Sequence, residues 1–209
     1  MHLLLTDRLT CPHCGPAFGL ILRADRLTER RVHEGALGCT NCRDLYPIQA
    51  GFGDLRAQPR RPLSALAGEA PAVPADEEVE RLAALLGTAG GGGATLLLGG
   101  AIRFARPLAA LVSPIEVVAC SSEAAGWDES EGVSRLVSGP GLAFFDGGLR
   151  GVALEGEHAL EAFLREAVRV LAPRHRVVVL NPPPDTQARM MSAGLGGFVQ
   201  AEGIAAAGR

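Results

Sequence analysis

The spacing of apolar residues changes character twice along the 209-residue chain. In the first quarter they come as short extended runs. Residues 19–23 and 29–33 read as two strands with Ala24-Asp25-Arg26 in the turn between them. Residues 45–48 form a further extended piece, closed by Gly51-Phe52-Gly53-Asp54-Leu55, and residues 1–10 fit a short helix or a strand. Periodicity then disappears: residues 56–76 are rich in proline and alanine, the composition of a partly extended linker. Next comes a helix over 77–86, capped by Asp76, with Val79, Leu82, Ala83 and Leu86 on one face. After the break at Gly90-Gly91-Gly92-Gly93, strands are predicted at 94–98, 115–120, 135–137, 151–154 and 176–180. Helices are predicted at about 102–112, 158–171 and 185–192, and a hairpin at 198–202 and 204–207. Continuously apolar strands alternating with helices imply an α/β fold with a parallel sheet covered on both faces.

Composition narrows the class. The chain holds one ordinary domain plus a small one, with 47% hydrophobic but only 4% aromatic residues. All 20 basic residues are arginine, and the net charge is −3, which argues against a dedicated nucleic-acid binder. Residues 1–62 carry nine arginines against six acids, the remainder eleven against seventeen, a mild asymmetry. No stretch approaches the ~20 apolar residues of a membrane span. Met1-His2-Leu3-Leu4-Leu5 lacks the basic leader and cleavage site of a secretory signal. The expectation is a soluble cytoplasmic protein without a membrane partner. Cys120, in an apolar run, reads as a small core residue rather than a nucleophile.

The chemistry concentrates in Cys11-Pro12-His13-Cys14 and Cys39-Thr40-Asn41-Cys42. Two intervening residues let a turn aim both cysteines of a pair inward, so two pairs build a tetrahedral thiolate site for zinc. Gly15 suits the left-handed residue that such a knuckle often needs. Scattered thiols, disulfides or a thioredoxin-like redox pair are the competing readings. The paired spacing and the lack of a βαβ setting count against them. With Cys11, Cys14, Cys39 and Cys42 all ligating, no open position is left, so the zinc is expected to be structural.

The strings C-P-H-C-G, E-G-A-L-G-C-T-N-C and Y-P-I-Q-A-G-F-G-D-L, over about residues 9–55, resemble the zinc-ribbon family of activator subunits of tRNA and protein methyltransferases. In that family the ribbon pairs with a methyltransferase domain and covers an apolar face of it. The stretches L-A-F-F-D-G-G-L-R-G-V-A-L (142–154) and A-V-R-V-L-A-P-R-H-R-V-V-V-L (167–180) resemble the fourth- and fifth-strand regions of class I S-adenosylmethionine-dependent methyltransferases. Together the resemblances imply a zinc ribbon over 1–57, a linker over 58–76 and a Rossmann-like, methyltransferase-type domain over 77–209.

That second resemblance implies a glycine-rich loop after the first strand and an acid at the tip of the second. Backbone approaches the cofactor at the first, and ribose hydroxyls are taken at the second. Here Gly99-Gly100 cut the loop short, and Ser121 stands where the acid is expected, with Glu123 late. Gly99, Gly100 and Ser121 are therefore the cofactor candidates, and the four glycines at 90–93 precede their strand. Asn181-Pro182-Pro183-Pro184 reads as a proline-stiffened turn. Glu155, Glu157 and His158, after the fourth strand, are the acid/base candidates, although two of them equally suit a helix start.

The function expected is a non-catalytic binding, scaffold or activator protein, with S-adenosylmethionine binding in doubt. Its partner would be a methyltransferase, another enzyme, a complex subunit or a second copy. The alternative is an active methyltransferase with a divergent cofactor site, acting on RNA, protein or a small molecule. A third reading is RNA binding through Arg23, Arg26, Arg30, Arg31 and Arg43.

Overall fold

The computed structural model describes residues 1–60, 62–63, 72–88, 92–139 and 141–209, without the side chain of Glu157. Residues 61 and 64–71 of the expected linker, and Gly90 and Gly91, lie outside them. The amino-terminal quarter opens with the helix α1 (Leu3–Thr6). It continues with strands β1 (Thr10–Cys11), β2 (Gly15–Thr28), β3 (Arg31–Cys39), β4 (Leu45–Gln49) and β5 (Phe52–Leu55), an antiparallel ribbon. The α/β part follows as α2 (Asp76–Leu86), β6 (Gly93–Leu98), α3 (Ala105–Val112), β7 (Ile115–Cys120) and β8 (Val133–Ser138). It ends with β9 (Leu149–Glu155), α4 (Glu161–Val170), β10 (Leu171–Leu180), α5 (Thr186–Ser192), β11 (Gly196–Ala201) and β12 (Ile204–Gly208).

Two local expectations shift. Ala24-Asp25-Arg26 is not a turn but part of β2, and the chain reverses at Glu29-Arg30, both left-handed (φ 48° and 63°). Neither residue is a glycine or asparagine, so the usual signal of a two-residue hairpin is missing. Helix α2 starts one residue early: Ala75 is its N-cap, and Glu78 accepts the Ala75 N–H at 3.0 Å. Asp76 instead joins Glu77 and Glu78 in the first turn, where negative charge faces the positive helix end.

All described strands join one sheet, in the order β1-β2-β3-β4-β5-β8-β7-β6-β9-β10-β12-β11. From β8 to β10 neighbours run parallel, and β12 is antiparallel to both β10 and β11. Counted from β6, the parallel strands stand 3-2-1-4-5, the doubly wound order, with a reversed hairpin at the far edge. This is a methyltransferase-like Rossmann fold. The ribbon joins it through β5, which runs parallel to β8 over four residue pairs from Phe52–Arg135 to Leu55–Ser138.

Helices α2 and α3 cover one face, burying Leu82, Leu86 and Leu108 against Leu97, Val117 and Val178. On the other face lie α4, α5 and the amino-terminal segment. The 139–148 connection carries no helix among its described residues; instead Leu9 bridges Phe144, and Thr10 N–H reaches Ala143 O at 2.9 Å. Leu5, Leu9 and Phe144 thereby enter the same core as Leu164 and Val177. Arg169 fixes that connection: it donates to the carbonyls of Leu142 (2.7 Å) and Phe144 (2.8 Å) and pairs with Asp146 and Glu166.

Arg135 pins the ribbon from the other side. Only 3% exposed in the middle of β8, its guanidinium donates to Ala50 O in the ribbon and to Ala124 O and Trp127 O in the α/β part. Arg31 adds a second tie, donating to both carboxylate oxygens of Glu116 (3.2 and 3.4 Å), which also accepts from Ser134.

Two outcomes are expected. Arg135→Met leaves those carbonyls unpaired and lowers stability by about 3 kcal/mol, measured by urea unfolding. The side-chain hydrogen bond from Arg169 holds the Glu166 carboxyl below its ordinary value. Its contribution is therefore complete above an unfolded pKa of about 4.3 and is lost as pH falls through the lower folded value. Glu166→Gln should accordingly be less stable than the parent at pH 7, and the gap should close below about pH 4.

Candidate metal centre and switch-point region

The four ribbon cysteines converge from two turns. Their sulfurs all lie within 4.8 Å of one another, with Cys11–Cys42 at 3.6 Å and Cys14–Cys39 at 3.8 Å. A tetrahedral ion with bonds of about 2.3 Å to sulfur has sulfur–sulfur edges of about 3.8 Å, and the two closest pairs match that spacing, as a thiolate-bound metal requires. Each knuckle is followed by a left-handed residue, Gly15 (φ 89°) and Arg43 (φ 66°). Only the glycine was readable from the sequence.

Burial raises the Cys39 thiol, but hydrogen bonds from the backbone N–H groups of Cys42 and Asn41 and from the neighbouring thiols bring it down to about 7. Cys42, although the backbone N–H of Asp44 lowers it, is pushed up by burial and by the neighbouring sulfurs. Cys14 Sγ accepts from Asn41 Nδ2 at 3.2 Å, and fully buried Tyr46 places its hydroxyl 3.3 Å from Cys11 Sγ. Burial pushes the Tyr46 hydroxyl up, so it stays protonated and donates to the thiolate. Sequence reading missed Tyr46 and Asn41; a tyrosine in the first ribbon strand after the second knuckle was the available signal. The Asp44 carboxylate hydrogen-bonds His13 at 3.0 Å, raises that imidazole's pKa and joins one knuckle to the other.

The second candidate region lies at the carboxyl ends of β6 and β9. These strands run parallel, but the order in which strands are added to the sheet reverses between them, the switch point where doubly wound folds hold ligands. Gly99-Gly100 open a 3-10 turn (Gly99–Phe104) after β6, and Glu155 ends β9. Here they close on each other. A Cβ on Gly99 would sit 2.4 Å from Glu155 O and 2.8 Å from His158 Nδ1; one on Gly100 would sit 2.5 Å from Glu155 Oε2. The glycines therefore serve close approach to β9. Glu155 accepts from Arg103, which also donates to Gly100 O at 2.7 Å, and from Asn181 Nδ2 at 2.5 Å.

The remaining candidates also have structural tasks. Ser121 Oγ accepts Glu123 N–H at 3.3 Å, capping the 3-10 turn Ser122–Gly126. Glu123 itself is exposed. His158 lies in the 3-10 turn Gly156–Ala159 and packs on Phe163 with ring centroids 4.6 Å apart. The side chain of Glu157 lies outside the described residues. Buried Cys120 is pushed up to about 12 by desolvation, which leaves it a neutral thiol. Arg103 and Asn181 were not foreseen, being 52 and 26 residues from the Glu155 they hold.

The sequence matches no protein-family model and no curated protein. Among solved structures, the chain is similar to a possible exported protein from Bordetella parapertussis (13% identity, TM-score 0.49, 64% of this chain and 66% of that one). It is also similar to phosphoethanolamine N-methyltransferase 2 of Haemonchus contortus in complex with S-adenosyl-L-methionine (12%, 0.47, 59% and 37%). A third is a chain of the complex between the Haloferax volcanii Trm112 methyltransferase activator and a candidate methyltransferase (15%, 0.45, 60% and 74%). The first two are matched over less than two thirds of their own length. Similarity at this level says nothing of chemistry, and the fold assignment rests on the strand order.

Purified chain is expected to carry one tightly held metal ion, counted by elemental analysis. Cys39→Ser should lower that count and the melting temperature together; retention of both would exclude the four-sulfur site.

Proposed function

We propose that this chain is a non-catalytic binding protein: a methyltransferase-like domain (77–209) whose cofactor crevice its own side chains fill, capped by a structural zinc ribbon (1–57). The observation that carries the reading is Glu155, held by Arg103 and Asn181 across the switch point, with both turn glycines packed against it. Opening that space means breaking charge-assisted hydrogen bonds around a carboxylate whose side chain is only 13% exposed. Zinc fits the ribbon because four thiolates and no open position define a closed site, which stabilises the fold and offers substrate nothing to bind.

The β5–β8 pairing also bears on the kind of partner. The ribbon edge that reaches a Rossmann sheet is already used on the chain's own β8. Activation of a separate methyltransferase through that edge is therefore disfavoured, and a protein partner or a second copy must be met by other surfaces. No helix among the described residues is long and apolar enough to cross a membrane. The arginines offered for RNA are partly engaged: Arg31 on Glu116, Arg26 on Glu34 and Arg23 on Asp25.

Titration calorimetry with S-adenosylmethionine on the zinc-loaded chain should show no binding at millimolar ligand from a protein that unfolds cooperatively. Micromolar binding would overturn the reading and turn the search toward a methyl acceptor near Glu155 and His158. Glu155→Ala with Asn181→Ala would then be expected to change that affinity.

A further inference from the structure

We propose that the amino-terminal end of the parallel sheet holds a binding site for a phosphate group, in a hollow of about 300 Å³ between α1, the β2–β3 turn and the starts of β6 and β7. Its wall takes His2 and Arg8 from the amino-terminal segment, Arg30 from the turn, and Gly92, Gly93 and Glu116 from the sheet side. Leu5 and Ala94, both buried, make part of that wall apolar.

The charge around the hollow is one-sided. Glu116 is the one acid in the wall among the described residues, and Arg31 already donates to both of its carboxylate oxygens. Ser134 donates to one of them as well, at 2.6 Å. The Arg30 guanidinium has no hydrogen bond or ion pair among the described residues. Arg8 commits one nitrogen to Gly148 O at 2.6 Å. His2 Nδ1 accepts the Leu4 N–H at 3.2 Å, so the neutral ring carries its proton on Nε2, which is left to donate. Arg150, donating to Gly92 O at 3.2 Å, adds a further guanidinium beside the glycines. Positive charge of this kind between apolar walls concentrates the field on an anion, and guanidinium forks match the oxygens of a phosphate.

The turn itself points to a task for Arg30. Glu29 and Arg30 are both left-handed, a conformation that asparagine and glycine adopt at lower cost. Local energetics would therefore favour asparagine at position 30, and a ligand gives the arginine its reason. Glu29 lines a separate, larger hollow, so the acid next to Arg30 in sequence does not share its wall. The volume is at the small end for ligand sites, which suits inorganic phosphate or a small phosphate monoester and not a nucleotide.

The hollow lies at the opposite end of β6 from Gly99, so the inference stands whether or not the switch-point region binds S-adenosylmethionine. Its test is titration calorimetry of the zinc-loaded full chain at about 20 mM salt, with inorganic phosphate and with glycerol 3-phosphate as probes. At least one should bind with a dissociation constant of about 1 mM or tighter, and the tighter of the two tells whether the source is free phosphate or an ester. Arg30→Asn puts a residue suited to the turn in place of the cation, and should weaken binding at least about tenfold. Glu29→Asn changes the same turn outside the wall of the site, and should bind within about threefold of the parent. Neither probe binding the parent at about 10 mM would overturn the proposal, as would Arg30→Asn binding as tightly as the parent. Equal losses in the two variants would equally overturn it, by assigning the effect to the turn rather than to the Arg30 charge.

Discussion

The four-residue ladder between β5 and β8 is the constraint on which the rest of this structure depends. It turns a four-cysteine ribbon and a Rossmann sheet into one sheet with one continuous core. Leu37, Tyr46 and Leu55 of the ribbon belong to the same buried cluster as Leu136, Val152 and Leu164. A four-pair parallel ladder alone is a weak join, because neither strand is long enough to exclude water from its ends. The buried Arg135 guanidinium makes it specific, since its carbonyl partners come from both sides of the junction. Burial also lowers its pKa, the sign of a cation taken out of water and held by dipoles rather than by one counter-charge. Such a group tolerates few alternative packings.

The join also explains what occupies the sheet's second face. The 139–148 connection carries no helix among its described residues, and α1 with Leu9 and Thr10 fills the space beside it. The fold has used its amino-terminal segment as wall material. At the opposite end of the parallel strands the same economy closes the crevice: glycines that would let backbone approach a ligand let it approach Glu155 instead. A methyltransferase-like fold thus carries Glu155, Arg103 and Asn181 packed together at its switch point, the arrangement on which the proposed binding role rests.

Much of this was legible in the sequence. The C-x-x-C pairs announced the thiolate cluster, and the valine run of β10 and the apolar stripe of α4 announced a covered parallel sheet. What stayed hidden depends on long-range geometry. Glu29-Arg30 and Arg43 take left-handed conformations that carry no signal when the residue is not glycine. Arg135 reads as a charge interrupting a short strand, and only the arriving ribbon shows why it is buried. The contacts of Arg103 and Asn181 with Glu155 join three distant segments, which no local pattern could connect. Ser121 stands where an acid was expected and turns out to cap a turn.

The most direct test of this account is amide hydrogen exchange across β5 and β8, with the ribbon metal bound and after chelation. In the loaded protein both strands should be protected to a similar degree, as partners in one ladder. Removing the metal should release β5 and, through the lost ladder, raise exchange in β8 at the same time. Strand β5 exchanging at the rate of an open chain in the loaded protein, beside a fully protected β8, would contradict the single sheet and make the ribbon an independent module.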